Sequence, residues 1–341
     1  MFKPRIHSRT TRCLLAAAVL GTLAAASDSL FAQSHATGRR LIDPFADPRY
    51  HVLRVSPSDS SLTPAQRNHA LMPVLRYAYE RYEAMGRNIR DYRGKIVRRE
   101  RIRGRLGAQE YMSFKVRHAR VTDTNDVVPF GVYLEYLGPK RLKGREVLFV
   151  DGENDGNLVA TRGGEGALRD ITLRLPPDGP RAMRRNHYPV TEFGVQRLAQ
   201  RLIEVGIEEM ALEAAKDAKV RFVSGAKIDK RPCTMIEVVH PRRVDGLRFH
   251  MARIFVDEAW QVPVRYAAYT WPREGEKTPR LMEEYTYFDL EMNVGLSERD
   301  FDAENPDYMF REPRPDDEGS RLDDDDLPGD ESSGDESSGD E

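Results

Sequence analysis

The residues of this 341-residue chain that are able to do chemistry are scattered rather than grouped. The densest acidic loop is Asp151-Gly152-Glu153-Asn154-Asp155-Gly156-Asn157. Oxygen ligands at alternate positions can wrap a hard cation, and Asp151, Glu153, Asp155 and Asn157 have that spacing. The position that should supply a bidentate carboxylate holds Arg162 instead. Apolar runs at 147–150 and 158–160 flank the loop. A tight hairpin, with Gly and Asn at positive φ, therefore accounts for the same residues, and no metal is expected.

The histidines offer no metal spacing either. His51, His69, His118, His187, His240 and His250 show no His-x-x-x-His or comparable pattern. His240 and His250 fall at strand ends near Arg242, Arg243, Arg248 and Arg253, a basic cluster that suits either a phosphate headgroup or a solvated hairpin rim. Glu283 and Glu284 are neighbours in a strand pattern, so they face opposite sides and make no acid–base pair without distant partners. Glu208-Glu209 read as helix-start charges. Cys233 alternates with apolar neighbours in Cys233-Thr234-Met235-Ile236, the pattern of a buried strand thiol. The chain contains no Gly-x-Ser-x-Gly, phosphate loop or dinucleotide fingerprint. The run Arg98-Arg99-Glu100-Arg101-Ile102-Arg103 is basic, but it continues an alternating strand, and nucleic acid is not an expected partner. No catalytic residue and no cofactor are expected.

The two ends set the compartment. Lys3, Arg5, Arg9 and Arg12 precede a short apolar stretch over 14–26 with small residues after it, the pattern of a secretory signal over 1–32, cleaved after Ala26 or Ala32. Only Cys233 then remains, so no internal disulfide can form. Residues 33–68 read as an extended leader. The segment 313–341 reads as a disordered acidic tail: from Asp316 onward it holds thirteen acidic residues against Arg321 alone. The formal net charge of −2 thus conceals a basic body joined to an acidic tail.

Between the ends, residues 69–312 read as one domain. Leu71, Leu75, Ala78, Tyr82, Met85 and Ile89 recur at helical spacing behind Pro73, and Gly86 and Asn88 mark the end of that helix. Alternating strands follow at 92–102, 109–118, 130–136, 147–150 and 158–160. Residues 163–188 look irregular. A second helix is expected over 190–205, with Thr191 as N-cap and Gly206 closing it. A second series of strands follows at 220–223, 233–240, 249–257, 262–271 and 281–290, and 301–310 reads as a last extended segment. The expected fold class is α+β: a curved antiparallel β-sheet, a half-barrel, with helices covering its concave face.

Several segments carry a family likeness: Leu75-Arg76-Tyr77-Ala78, Asn88-Ile89-Arg90-Asp91-Tyr92, Arg98-Arg99-Glu100-Arg101, Pro139-Lys140 with Lys143-Gly144-Arg145-Glu146-Val147-Leu148, and Glu283-Glu284-Tyr285-Thr286-Tyr287. Over roughly residues 70–310 the chain resembles a family of bacterial exported proteins of unknown function. The order of elements further resembles the half-barrel of periplasmic lipoprotein carriers (LolA-like proteins). That second resemblance implies a non-enzymatic protein of the periplasm or cell envelope, holding a lipid, an acyl chain or another apolar ligand, with peripheral membrane contact. The candidate lining residues are Met112, Phe114, Val116, Val132, Leu134, Tyr136, Phe255 and Tyr285. The same side chains could instead fill a solid core, leaving the leader or the tail to bind envelope proteins.

Overall fold

The computed structural model describes residues 63–165 and 171–311. The expected signal, most of the leader and the acidic tail lie outside those residues. After a short helical turn, Pro64–Arg67, comes α1, Met72–Asn88. Five strands of four or more residues follow: β1 Asp91–Ile102, β2 Glu110–Arg117, β3 Gly131–Gly138, β4 Glu146–Val150 and β5 Leu158–Thr161. The segment read as irregular contributes another strand, β6 Thr172–Leu175, and a helical turn, Pro180–Met183. Then come α2, Val195–Met210, and β7 Lys219–Ile228, β8 Arg231–Val239, β9 Met251–Asp257, β10 Pro263–Thr270 and β11 Arg280–Met292.

The strands build one open, curved, twelve-stranded antiparallel sheet in the order β7-β8-β9-β10-β11-β1-β2-β3-β4-β5-β6, with the two-residue strand Arg105–Leu106 paired to β1. Both strand series are meanders. They join where the last strand, β11, pairs with the first, β1, so a long-range pairing makes the centre of the sheet. This is the α+β half-barrel expected from the pattern.

Alternation decides the two faces. Ile96, Arg98 and Glu100 of β1 point to the concave side; Arg93, Lys95 and Arg99 point outward. The outer face carries cross-strand ion pairs such as Arg93–Glu291, Lys95–Asp289 and Arg265–Glu284. A second, smaller cluster lies apart from the main core. There Phe301, Tyr308 and Phe310 pack with Tyr133, Leu148 and Val150. Residues 301–310 were expected as an extended segment; they follow a 3-10 turn, Glu298–Phe301, and run mostly through turns, with Tyr308 stacked on Tyr133 at a centroid distance of 4.0 Å.

α1 and α2 cover the concave face. Gly206 was expected to end α2. It lies within the helix, where an added Cβ would fall 2.7 Å from Leu75 Cδ2 of α1, so it is a contact glycine rather than a stop signal. Thr191 does not cap α2 either. Its N-cap is Gly194, at φ 111°, and the Val195 N–H donates to the Tyr92 hydroxyl oxygen at 2.9 Å. A strand side chain therefore satisfies one of the helix's orphan donors. Glu208 and Glu209 fall in the last turn of α2, not at a helix start.

Candidate functional site

Two cavities lie on the concave side. The first occupies about 290 Å³ between the helices and the central strands. Val74 and Ala78 of α1, Leu198 and Leu202 of α2, and Ile254 and Tyr285 of the sheet represent its apolar lining. Each helix presents its stripe inward because apolar residues three and four apart share one face. The second cavity, about 550 Å³, lies over β3 to β6 and is walled by the chain that runs from β6 toward α2. Its floor is apolar, with Leu134, Leu158 and Leu173, and its walls carry arginines.

The strap from 176 to 193 separates the two. Phe193 packs edge-on against Phe114 and Tyr287, at centroid distances of 5.5 and 6.2 Å. His187 and Tyr188 fasten the strap to the sheet over two carboxylates, Glu100 and Glu283, that sit directly opposite each other on β1 and β11. These two are only 7% and 3% exposed. Like charges facing one another on neighbouring strands are destabilising, so they need donors. They have them. His187 Nδ1 lies 2.5 Å from Glu283 Oε2, and the Tyr188 hydroxyl donates to Glu283 Oε1 at 2.8 Å. The Tyr285 hydroxyl donates to Glu100 Oε1 at 2.5 Å, and the His187 backbone N–H donates to Glu100 Oε2 at 3.0 Å.

The other ring nitrogen of His187, Nε2, faces the Arg101 carbonyl oxygen at 3.2 Å. Both ring nitrogens thus meet acceptors, which the doubly protonated ring satisfies. The bond to Glu283 accordingly raises the His187 pKa above the ordinary imidazole value, against the opposing effect of burial. Burial, together with Glu283, raises the Tyr188 phenol. Each of the four carboxylate oxygens accepts a hydrogen bond from within the cluster, and both acids line the first cavity. The arrangement latches the strap to the sheet.

A second acid–histidine pair closes the far end of the first cavity. Glu209 lines it, and Glu209 Oε2 lies 3.0 Å from His240 Nε2, with both residues buried. The arginines expected around His240 lie outside this pair. Arg242 pairs with Asp217, Arg248 with Glu208 and Arg253 with Glu237, while Arg243 is exposed, so the cluster is a largely solvated rim. Among the described residues no group of His, Cys, Asp and Glu converges as a metal site. The acidic loop is a turn between β4 and β5, with Gly152, Asn154, Asp155 and Gly156 all at positive φ. Cys233 is a buried free thiol, its pKa raised chiefly by burial.

The candidate lining residues divide. Tyr285 lines the first cavity, and Leu134 and Tyr136 line the second. Met112, Phe114, Val116 and Val132 line neither; they are buried in the packed core beneath Phe193 and Tyr92. Phe255 corrects a face assignment. Ala252, Ile254 and Val256 line the first cavity, so Phe255, out of phase with them, points to the other side. Sequence reasoning missed Glu100, His187 and Tyr188. The available signal was Glu100 itself, an acid in phase with Ile96 within a basic strand.

Residues 89–310 match the family model described as Protein of unknown function (DUF1571), and the chain belongs to that family. No curated protein matches the chain. Among solved structures, it is similar to a putative outer membrane lipoprotein-sorting protein domain from Vibrio parahaemolyticus, at 13% identity and a TM-score of 0.31, covering 67% of this chain and 95% of that one. It is also similar to a LolA superfamily protein from Nitrosomonas europaea, at 10% identity and a TM-score of 0.27, covering 66% and 97%. The MucA/MucB complex structure from Pseudomonas aeruginosa matches at 15% identity and a TM-score of 0.36, covering 66% and 59%.

Proposed function

We propose that this protein is a non-enzymatic binding protein of the cell envelope that holds an acyl chain or other apolar ligand in the cavity between α1, α2 and the sheet. The observation that carries this reading is that the helices and the sheet present apolar side chains to a space they do not fill. A space lined in this way gains little from water and gains burial energy from an apolar guest. The N-terminal signal pattern supports export to the periplasm or envelope.

Native mass spectrometry of the mature protein purified without detergent, followed by organic extraction, tests the reading. A discrete lipid-sized adduct is the expected result. A clean apo mass, with no lipid taken up on later incubation, would overturn it in favour of an interaction protein with a solid core.

A further inference from the structure

We propose that a rim of arginines at one end of the sheet docks this protein on the surface of an anionic phospholipid bilayer. The inference goes beyond the apolar-ligand reading and does not depend on it.

Two neighbouring hairpins build the rim. β1 and β11 are antiparallel neighbours, so the end of the one and the start of the other fall at the same end of the sheet. Arg99 and Arg101 on β1, and Arg103 and Arg105 in the hairpin that follows, lie beside Arg280, the first residue of β11, and Arg273 in the loop before it. Arg101 ties the two hairpins together, because its Nε donates to the Leu281 carbonyl oxygen at 2.8 Å.

Charge pairing changes abruptly along β1. Arg93 meets Glu291, Lys95 meets Asp289 and Arg98 meets Glu110. From Arg99 onward, no guanidinium of the rim meets a carboxylate among the described residues. Arg99 Nε donates to the Gly107 carbonyl oxygen at 2.9 Å, and Arg101 Nη1 to the Gly104 carbonyl oxygen at 3.0 Å. Arg280 Nε is buried and has no acceptor among the described residues. The acids of the β10–β11 loop, Glu274 and Glu276, are exposed, and Glu276 accepts from the Arg273 backbone N–H at 3.4 Å rather than from its guanidinium. Carbonyl oxygens fix the direction of a guanidinium and leave its charge in place. Burial lowers the Arg101 pKa, and Arg280, Arg273 and Arg99 lower it further, so these cations repel one another. A surface that brings many negative charges at once relieves that repulsion. An anionic leaflet does so, and each arginine near it strengthens partition about fivefold.

The rim adjoins the first cavity. The Arg101 carbonyl oxygen faces His187 Nε2 at 3.2 Å, and Met282 and Glu283, just after Arg280, line that cavity. Docking by the rim therefore brings the anchor of the strap to the bilayer, where acyl chains are held.

Co-sedimentation of the mature protein with vesicles tests the proposal. One set is phosphatidylcholine alone; the other is equal parts phosphatidylcholine and phosphatidylglycerol. Binding to the anionic set is expected to be about tenfold or more stronger. It should fall as salt rises from about 0.1 to about 1 M, which shortens the screening length from about 10 to about 3 Å. R103Q/R105Q/R273Q, altering exposed residues only, should lower anionic-vesicle binding about tenfold or more. R105Q/R273Q should lower it about fivefold or more, and serves if the triple variant melts early. R76Q/R90Q/K227Q removes the same charge from exposed positions on α1, before β1 and on β7, and should change binding less than about threefold. Equal binding to both vesicle sets, or binding insensitive to salt, would overturn the proposal. Equal losses in the rim and control variants would also overturn it, assigning the attraction to net charge alone. Lipid retention in native mass spectrometry reports on the cavity separately, so either reading can fail while the other stands.

Discussion

The two cavities share one sheet and one strap, yet differ in almost every other respect. The first is roofed by two long helices whose apolar stripes close over it. The second is roofed by irregular chain and a single helical turn, and arginines line its walls. Helical periodicity makes a continuous apolar lid, because residues three and four apart stay in line. An irregular segment has no such constraint and can place charges wherever its turns aim them. The difference between the cavities is therefore one of what covers the sheet.

Beneath Phe193 the sheet is solid, and the largest expected effect tests that. Phe114→Ala should cost about 3–5 kcal/mol of stability, the usual range for a buried aromatic, while leaving lipid retention unchanged. Denaturant unfolding together with lipid extraction checks both halves, and a loss of retention in a folded variant would extend the ligand site into the β1–β3 core. Next comes Leu202→Trp, which fills the first cavity from α2. It should weaken monopalmitoylglycerol binding about tenfold or more in titration, equal to roughly 1.4 kcal/mol. Unchanged affinity in a folded variant would place the apolar ligand outside this cavity.

His187→Gln probes the boundary between them. A hydrogen bond to a charged partner contributes about 1.5–3 kcal/mol, and this histidine's folded-state pKa is raised. Its contribution is then complete below the unfolded value of about 6.5 and fades as pH rises through the higher folded-state pKa. Melting curves of the two proteins should be furthest apart below that pH and converge in alkaline buffer. A gap that widened with pH would show that the neutral ring makes the latch. The smallest effect is expected from deleting residues 316–341, which should shift stability by no more than about 0.5 kcal/mol and leave lipid loading unchanged. Lost loading would move the ligand site toward the tail.

Much of the architecture was legible in the chain. The strands from β1 to β5 and from β7 to β11 fall where alternation put them, and α1 begins beside Pro73 as expected. β6 was not legible, because Thr172–Leu175 is short and follows a Gly-rich stretch, so alternation had too few residues to register. The start of α2 was misplaced because its cap comes from Tyr92, 103 positions away, not from a neighbouring side chain. Of the residues expected to line a cavity, half proved to be core. Inward-facing positions on a strand look alike in sequence whether a ring such as Phe193 or open space lies above them.

The sequence by itself determined both helices, ten of the eleven longer strands and the family, since these follow from local pattern and composition. Only the tertiary structure decided where the concave face is filled and where it stays open. It alone brought Glu100 against Glu283 and laid His187 across them, and it alone paired Arg242, Arg248 and Arg253 with carboxylates. Those outcomes depend on which distant strands become neighbours and on what a strap between two elements covers. Neither is set by the period of any one segment.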